Sequence, residues 1–269
     1  MKTIFLTSHT GFYTKVVDCG EEVKLATSSD NTNHFIDRLK EAVPTIKNFA
    51  FVASDPDGFE KTRLNASLMV ESLNLDGFGV ERLTVIDHAF EGDIERTILE
   101  ADVVFLAGGN VPTQNKYFKE INLKYIIEKY DGVVIGMSAG SMNCSKKVYA
   151  QPEEDEEFDD KDFQRIIDGL GLVDFAVMPH INSADEVYDI EHPTVMEMCL
   201  EDSHIIPHFG ISDYGFIEVK DGKATAYGRT LFFKNGQVEV VCEDNEHTAI
   251  STENKWRRYE KERKEKDNN

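Results

Sequence analysis

Residues 131–141 read Asp-Gly-Val-Val-Ile-Gly-Met-Ser-Ala-Gly-Ser, and the fold is inferred outward from this stretch. Residues 133–135 are apolar and β-branched, which is typical of a strand buried on both faces. Residues 136–140 then fit G-x-S-x-G, in which a serine stands at the tip of a tight turn between a strand and a helix. Small neighbours let the chain turn and let a substrate approach. The pattern predicts Ser138 as a nucleophile, and the alternative is an ordinary glycine-rich turn.

Apolar runs and helical periodicities alternate along the first half of the chain. Strands are predicted at 4–6, 49–53, 80–86 and 103–106, and helices at 35–43, 59–75, 94–99 and 117–130. Asp30 is the expected cap of the first helix, and Leu64, Leu68 and Leu75 are expected to face inward from the second. Residues 9–28 show no clear period and are interpreted as an insertion or hairpin. This alternation predicts an α/β fold, with a mostly parallel sheet and helices on both faces.

The last third of the chain has a different pattern. Short strands are predicted at 205–207, 215–219, 224–227 and 238–241. Asp221-Gly222 and Asn235-Gly236 lie between them and are strong hairpin turns, so the parallel sheet is expected to end in antiparallel hairpins. We predict one domain over residues 1–252, followed by a charged tail over 253–269.

Composition excludes several classes of function. The 269 residues carry a net charge of −21, which disfavours nucleic acid and anionic membranes as partners. The four cysteines are scattered, which indicates reduced thiols and neither a disulfide framework nor a zinc site. The first residues lack the long apolar run of a signal peptide, and no stretch reaches the ~20 apolar residues of a membrane span. We therefore expect a cytoplasmic protein without a metal.

A second glycine turn and a histidine also follow predicted strands. Gly108-Gly109 comes after the strand at 103–106, and a backbone N–H there can reach an oxyanion because no Cβ blocks the approach. Neither glycine turn fits a dinucleotide or P-loop pattern, so no cofactor is expected. His180 follows the apolar run 175–178, and it is a candidate base or a structural histidine. The acidic block 153–162 is typical of a solvated loop, although one of its carboxylates can fold back to a histidine.

Three segments, taken in order, resemble the peptidase E and cyanophycinase family of serine peptidases. They are Ala-Gly-Gly-Asn at 107–110, Gly-Met-Ser-Ala-Gly-Ser at 136–141 and Pro-His-Ile-Asn at 179–182. The resemblance implies a three-layer fold like that of class I glutamine amidotransferases, with serine in place of their cysteine. It makes Ser138 the nucleophile and His180 its base.

The same resemblance implies the other members of the site. The backbone N–H groups of Gly109 and Ala139 would form the oxyanion hole. Gly108, Asn110 and Asn182 would lie beside the substrate. The acid that orients His180 has three candidates, with Glu154 or Glu153 ahead of Asp213, which aligns with a second acidic position of the family.

The expected activity is hydrolysis of short peptides or isopeptides by a Ser-His-acid site. One alternative is an α/β-hydrolase esterase, in which His247 would be the base. The other is a non-catalytic small-molecule binding protein of the same fold. The sequence leaves the oligomeric state open, including a homodimer.

Specificity for N-terminal aspartate, which the resemblance implies, conflicts with the local charges. No lysine or arginine lies between His180 and His208, so this segment supplies no partner for a substrate carboxylate. Lys146, Lys147 and Arg165 are the cations that could come from elsewhere. We therefore expect a poor aspartyl dipeptidase.

Overall fold

The computed structural model describes residues 2–18, 21–153, 155–181 and 193–251. In chain order, the first half contains β1 (Thr3–Thr7), β2 (Tyr13–Asp18), β3 (Glu21–Ala26), α1 (Phe35–Ala42), β4 (Asn48–Val52), α2 (Phe59–Leu75), β5 (Arg82–Ile86), α3 (Ile94–Leu99), β6 (Val103–Leu106), α4 (Val111–Glu120), α5 (Leu123–Lys129) and β7 (Val133–Met137). The second half contains α6 (Ala139–Asn143), β8 (Lys147–Tyr149), α7 (Asp155–Asp159), β9 (Ile166–Asp168), β10 (Ala176–Met178), α8 (Val195–Asp202), β11 (His208–Ile211), β12 (Phe216–Lys220), β13 (Lys223–Tyr227), β14 (Thr230–Lys234), β15 (Gln237–Cys242) and β16 (His247–Ile250).

A central sheet of eight strands organises the chain, in the order β16-β13-β12-β1-β7-β6-β4-β5. The strands from β1 to β5 in this order pair in parallel. The remaining three join β1 as an antiparallel extension. The predicted α/β fold with C-terminal antiparallel strands is confirmed.

The central strands are buried on both faces because helices cover the sheet from two sides. In β1, Ile4 and Leu6 belong to one apolar cluster, which also contains residues of α3 to α6. Phe5 points to the other face and belongs to a cluster with residues of α1 and α2. Burying an apolar side chain of this size contributes about 1.5–3 kcal/mol. Continuous apolar runs in β1 and β7 therefore fix these strands in the middle of three layers.

A second sheet of four strands, in the order β10-β11-β14-β15, was not expected from the sequence. The predicted strand at 205–207 is wrong, and the strand begins at His208 instead. The imidazole ring of His208 is fully buried and stacks on Phe233, and burial lowers its pKa to about 4. Because it is neutral near pH 7, this histidine can lie inside a strand. A search for runs of apolar residues therefore misses the strand.

The predicted helix over 117–130 is two helices. Asn110 caps α4, which starts at Val111, because its side chain accepts a hydrogen bond from the N–H of Thr113. The helical path is interrupted at Asn122, which has a left-handed backbone with φ of 53°. Asparagine tolerates that conformation better than most residues, so it marks the boundary between α4 and α5.

Two details of the first helices differ from expectation. Asp30 does not cap α1; His34 precedes the helix, and Asp30 Oδ1 accepts from the N–H of Thr32. In α2, Leu68 is buried as expected, but Leu64 and Leu75 are 50% and 58% exposed. The buried face of α2 instead follows Thr62, Ala66, Leu68, Met69, Ser72 and Leu73. The positions of the leucines alone therefore predict the wrong buried face for this helix.

The turns agree better with expectation. In the segment interpreted as an insertion or hairpin, β2 and β3 pair antiparallel, with Tyr13 opposite Ala26. The turns at Asp221-Gly222 and Asn235-Gly236 both have positive φ at each residue, as two-residue hairpins require. The predicted tail over 253–269 lies outside the described residues. Within those residues, no helix is long and apolar enough to cross a membrane.

Candidate active site

Ser138 stands in a strained turn between β7 and α6. Its φ of 51° and ψ of −117° lie outside the regions that residues with a side chain ordinarily occupy. Such a conformation costs on the order of 1–3 kcal/mol. The turn is held because the N–H of Ser138 donates to the carbonyl of Thr7 at 3.0 Å, and its own carbonyl accepts from Ser141 and Met142.

The glycines around Ser138 are required by close packing. A Cβ on Gly140 would collide with the carbonyl of Leu106 in the neighbouring strand. A Cβ on Gly136 would lie 2.7 Å from the N–H nitrogen of Ser141. The G-x-S-x-G pattern therefore lets α6 start directly against β6 and β7, with Ser138 at the tip.

The second sheet brings His180 and Asp213 together. Strands β10 and β11 are parallel neighbours, with Met178 opposite Gly210. His180 lies two residues beyond the end of β10, and Asp213 lies two residues beyond the end of β11. Because carboxyl ends of parallel strands meet at one edge, the two side chains emerge side by side.

A chain of hydrogen bonds joins the side chains of Ser138, His180 and Asp213. Ser138 Oγ lies 3.0 Å from His180 Nε2, and His180 Nδ1 lies 2.7 Å from Asp213 Oδ1. Both partners of the second contact are only partly buried, with the His180 side chain 41% and the Asp213 side chain 27% exposed. The arrangement can remove a proton from the serine hydroxyl and stabilise the imidazolium that results.

Ser8 is a site residue that the sequence patterns did not single out. Its hydroxyl donates to Asp213 Oδ1 at 2.7 Å and also approaches His180 Nδ1 at 3.2 Å. The available signal was its position directly after β1, because β1 lies in the sheet beside β7, the strand that precedes Ser138. That pairing is non-local, so the sequence pattern alone did not reveal it.

Beside Ser8, His9 is a neutral neighbour of the site. Burial lowers its pKa, while the charge of Asp213 acts in the opposite direction. Its Nδ1 accepts a hydrogen bond from the N–H of Gly11, which also requires an unprotonated nitrogen there.

The loop at 107–110 contacts the turn that carries the serine. A Cβ on Gly108 would lie 3.1 Å from Cβ of Ser138. Gln114 Nε2 donates to the carbonyl of Ala107 at 2.6 Å, and Gln114 Oε1 accepts from Asn143 at 3.0 Å. Both amide side chains are fully buried. This network fixes the loop relative to α6, whose first N–H group belongs to Ala139 and has no acceptor within the helix.

The acidic segment folds against the same loop. Glu157 Oε1 accepts from the side-chain amide of Asn110 at 2.9 Å, and Glu157 Oε2 accepts from the N–H of Glu153 at 2.8 Å. Asn110 therefore caps α4 and holds α7, in addition to lining the cavity above the serine. Two other expected site residues, Glu154 and Asn182, lie outside the described residues.

A cavity of about 880 Å³ opens above Ser138 and His180. Its walls are formed by the loop 107–110, one face of α2, residues 151–153, Asp155, Phe158 and the start of α8. Its charged lining residues, apart from His180, are Lys61, Asp55, Glu153 and Asp155. Acidic groups outnumber the basic group in the described part of this lining.

The cations and the second histidine considered from the sequence lie elsewhere. Lys147 pairs with Asp168 at 2.6 Å, and Arg165 pairs with Asp202. Lys146 and Lys147 line a separate, much smaller pocket. His247 lies on the edge strand β16, where its ring stacks on Tyr227. Lys61 is the lysine that the structure adds to the described wall of the large cavity.

Known proteins resemble this chain in sequence and in fold. The sequence model of Peptidase family S51 matches residues 25–227. A crystal structure of a protein from Listeria monocytogenes EGD-e, described as a candidate peptidase E, superposes with a TM-score of 0.52 at 17% identity. The match covers 93% of this chain and 100% of the other. No curated protein matches this chain. The family match is not to α/β-hydrolases, so that alternative is not supported.

Proposed function

Because the chain belongs to peptidase family S51, the peptidase E family, and is a serine-type peptidase, we propose that Ser138, His180 and Asp213 hydrolyse short peptides or isopeptides. The 3.0 Å contact between Ser138 Oγ and His180 Nε2 carries this proposal. It joins a strained serine to an imidazole whose other nitrogen already has a carboxylate partner.

Each side chain has one role in the proposed reaction. His180 Nε2 takes the proton of Ser138 as Oγ attacks the substrate carbonyl, and returns it to the leaving amine. The Nδ1–H group of His180 donates to Asp213, which fixes the tautomer that leaves Nε2 free to accept the proton. Water then repeats the sequence on the acyl-enzyme and releases the acid.

The oxyanion that forms on the substrate is assigned to the N–H groups of Gly109 and Ala139. Ala139 provides the first N–H of α6, next to the nucleophile. The close contact of Gly108 with Ser138 supports the second donor, because it keeps the neighbouring N–H near the attacked carbonyl. One lost oxyanion donor typically costs about 10²–10³ in kcat.

We expect Asp213→Asn to lower kcat by about 10²–10⁴-fold, because a neutral amide does not stabilise the imidazolium and its NH2 group can face Nδ1, which favours the wrong tautomer of His180. The matched variants are Glu153→Gln and Glu154→Gln, for which we expect changes below about tenfold. Steady-state kinetics on one peptide substrate compares the three. A larger loss in either glutamine variant would mean that Glu153 or Glu154, which the sequence favoured, orients His180. Equal activity in all three variants would mean that no single one of these carboxylates is essential.

The cavity supports short substrates and disfavours acidic ones. Its volume is in the range of sites that enclose small ligands. A carboxylate entering it meets Lys61, but also Asp55, Glu153 and Asp155. A like charge at close range in a partly solvated site costs on the order of 1 kcal/mol or more.

We therefore expect Asp-Leu to be hydrolysed at least about fivefold more slowly than Ala-Leu or Lys-Leu, since 1 kcal/mol corresponds to about that factor. The three dipeptides compete at equal concentration, and mass spectrometry follows their loss. The same competition with Lys61→Gln identifies the contribution of this lysine. A preference for Asp-Leu in the parent protein that disappears in the variant would contradict the expectation and make Lys61 the carboxylate partner.

A further inference from the structure

Ser8 contacts both His180 and Asp213, although the proposed mechanism gives it no role. It is fully buried, although His180 and Asp213 are partly exposed. Its Oγ donates to Asp213 Oδ1 at 2.7 Å and accepts from the backbone N–H of His180 at 2.8 Å. It also lies 3.2 Å from His180 Nδ1. A serine hydroxyl has one donor and two acceptor positions, so donation to Asp213 and acceptance from the His180 N–H use the donor and one acceptor, and the remaining acceptor position lies near His180 Nδ1.

The residues on either side of Ser8 hold the other parts of the site. The carbonyl of Thr7 accepts from the N–H of Ser138 at 3.0 Å and from the hydroxyl of Ser141 at 2.7 Å. The carbonyl of His9 accepts from the N–H of Tyr214 at 2.9 Å, next to Asp213. The end of β1 is thus bonded to the three turns that carry Ser138, His180 and Asp213.

Backbone strain makes this support necessary. His180 and Tyr214 have φ of 60° and 64°, in the left-handed region that costs a residue with a side chain free energy. Such conformations persist only where the surroundings hold them. Ser8 supplies the acceptor for His180 N–H, so it acts on the backbone as well as on the ring.

We propose that Ser8 is a positioning residue, which fixes the His180 ring and the Asp213 carboxylate in the orientation that the reaction needs. The inference rests on the proposed function of Ser138, His180 and Asp213. Ser8 is fully buried, and the described residues that line the cavity above Ser138 do not include it, so it acts through His180 and Asp213. Its effect therefore falls on the chemical step and leaves substrate binding largely unchanged.

Replacement of Ser8 by alanine is expected to lower kcat by about 10–100-fold with little change in KM. A misplacement of about 1 Å at a catalytic group costs up to about 10²-fold in rate. The matched control is Ser72→Ala, which removes an equally buried hydroxyl whose partner is Ser29 in another part of the molecule. We expect the control to keep its kcat, so a loss of buried hydroxyls in general does not explain the effect.

Two further variants make the test independent of folding. Ser8→Cys keeps a similar volume but provides only a weak donor and acceptor, so it is expected to lose kcat as well; it reports on the contact if Ser8→Ala does not fold. The double variant Ser8→Ala/Asp213→Asn is expected to lose less than the product of the two single losses, because both changes disturb one His180–Asp213 unit. The positioning role would be overturned if the double variant loses the full product of the two single losses. It would also be overturned if folded Ser8→Ala and Ser8→Cys both keep the parent kcat.

The two proposals can fail separately. If Ser138→Ala and Asp213→Asn remain active, the assignment of the triad has failed. If they lose activity while folded Ser8→Ala and Ser8→Cys keep the parent kcat, only the role of Ser8 is wrong.

Discussion

The Ser138→Ala variant is expected to lose about 10⁴–10⁶-fold in kcat on any peptide that the parent protein hydrolyses, because loss of a triad member typically has this effect. The change removes one oxygen at the tip of the turn between β7 and α6. The variant lacks the hydroxyl whose proton His180 Nε2, 3.0 Å away, is placed to take. Residual activity would come from binding and oxyanion stabilisation alone.

The fold should survive this change. The side-chain oxygen of Ser138 contacts His180, whereas the hydrogen bonds that hold the turn come from its backbone. Thermal denaturation of the two proteins therefore serves as the control, with an expected change in stability within about 1 kcal/mol. An alanine variant that keeps most of the parent activity would mean that Ser138 is not the nucleophile.

The His180→Ala variant is expected to lose kcat by a similar factor, about 10⁴–10⁶-fold. Without the imidazole, Ser138 keeps its proton near neutral pH and the leaving amine has no acid to protonate it. The matched variant is His247→Ala, because His247 lies on an edge strand and stacks on Tyr227. We expect the second variant to retain activity within a small factor.

Comparison of kcat/KM for the two histidine variants on one substrate checks this expectation. Loss in His247→Ala with activity retained in His180→Ala would reverse the assignment. Loss in both would indicate that β16 supports the site through the sheet, which thermal denaturation of His247→Ala can detect.

Local patterns were sufficient for the buried parallel strands of the central sheet and for the turn that carries Ser138. Continuous apolar runs predicted β1, β4, β6 and β7, because strands buried on both faces need such runs whatever their neighbours are. The pattern at 136–140 predicted the turn, because its glycines are needed where a Cβ would collide with backbone a few residues away or in the neighbouring strand.

Non-local contacts explain what the sequence could not predict. Asp213 reaches His180 because β10 and β11 pair in a sheet that was not foreseen. Ser8 reaches the same pair because β1 lies beside β7. Neither pairing can be read from the spacing of residues along the chain, so Glu153 and Glu154 were placed ahead of Asp213 as the acid. Lys61 was missed for the same reason, since α2 reaches the cavity wall only in the folded chain.

Helix details failed for a different physical reason. Leu64 and Leu75 were placed inward by residue type, but the buried face of α2 is set by the position of Ala66 and Met69 against the sheet. Leucine on an exposed face costs little, so residue type alone does not fix the orientation of a helix.

Active-site labelling tests the central claim most directly. The parent protein is treated with a fluorophosphonate, and mass spectrometry of its peptides locates the adduct. We predict a single adduct on Ser138, which is absent from Ser138→Ala and forms much more slowly in His180→Ala, because the reagent needs an activated serine. An adduct on another residue, or an active parent protein without any adduct, would contradict the assignment of Ser138 as the nucleophile.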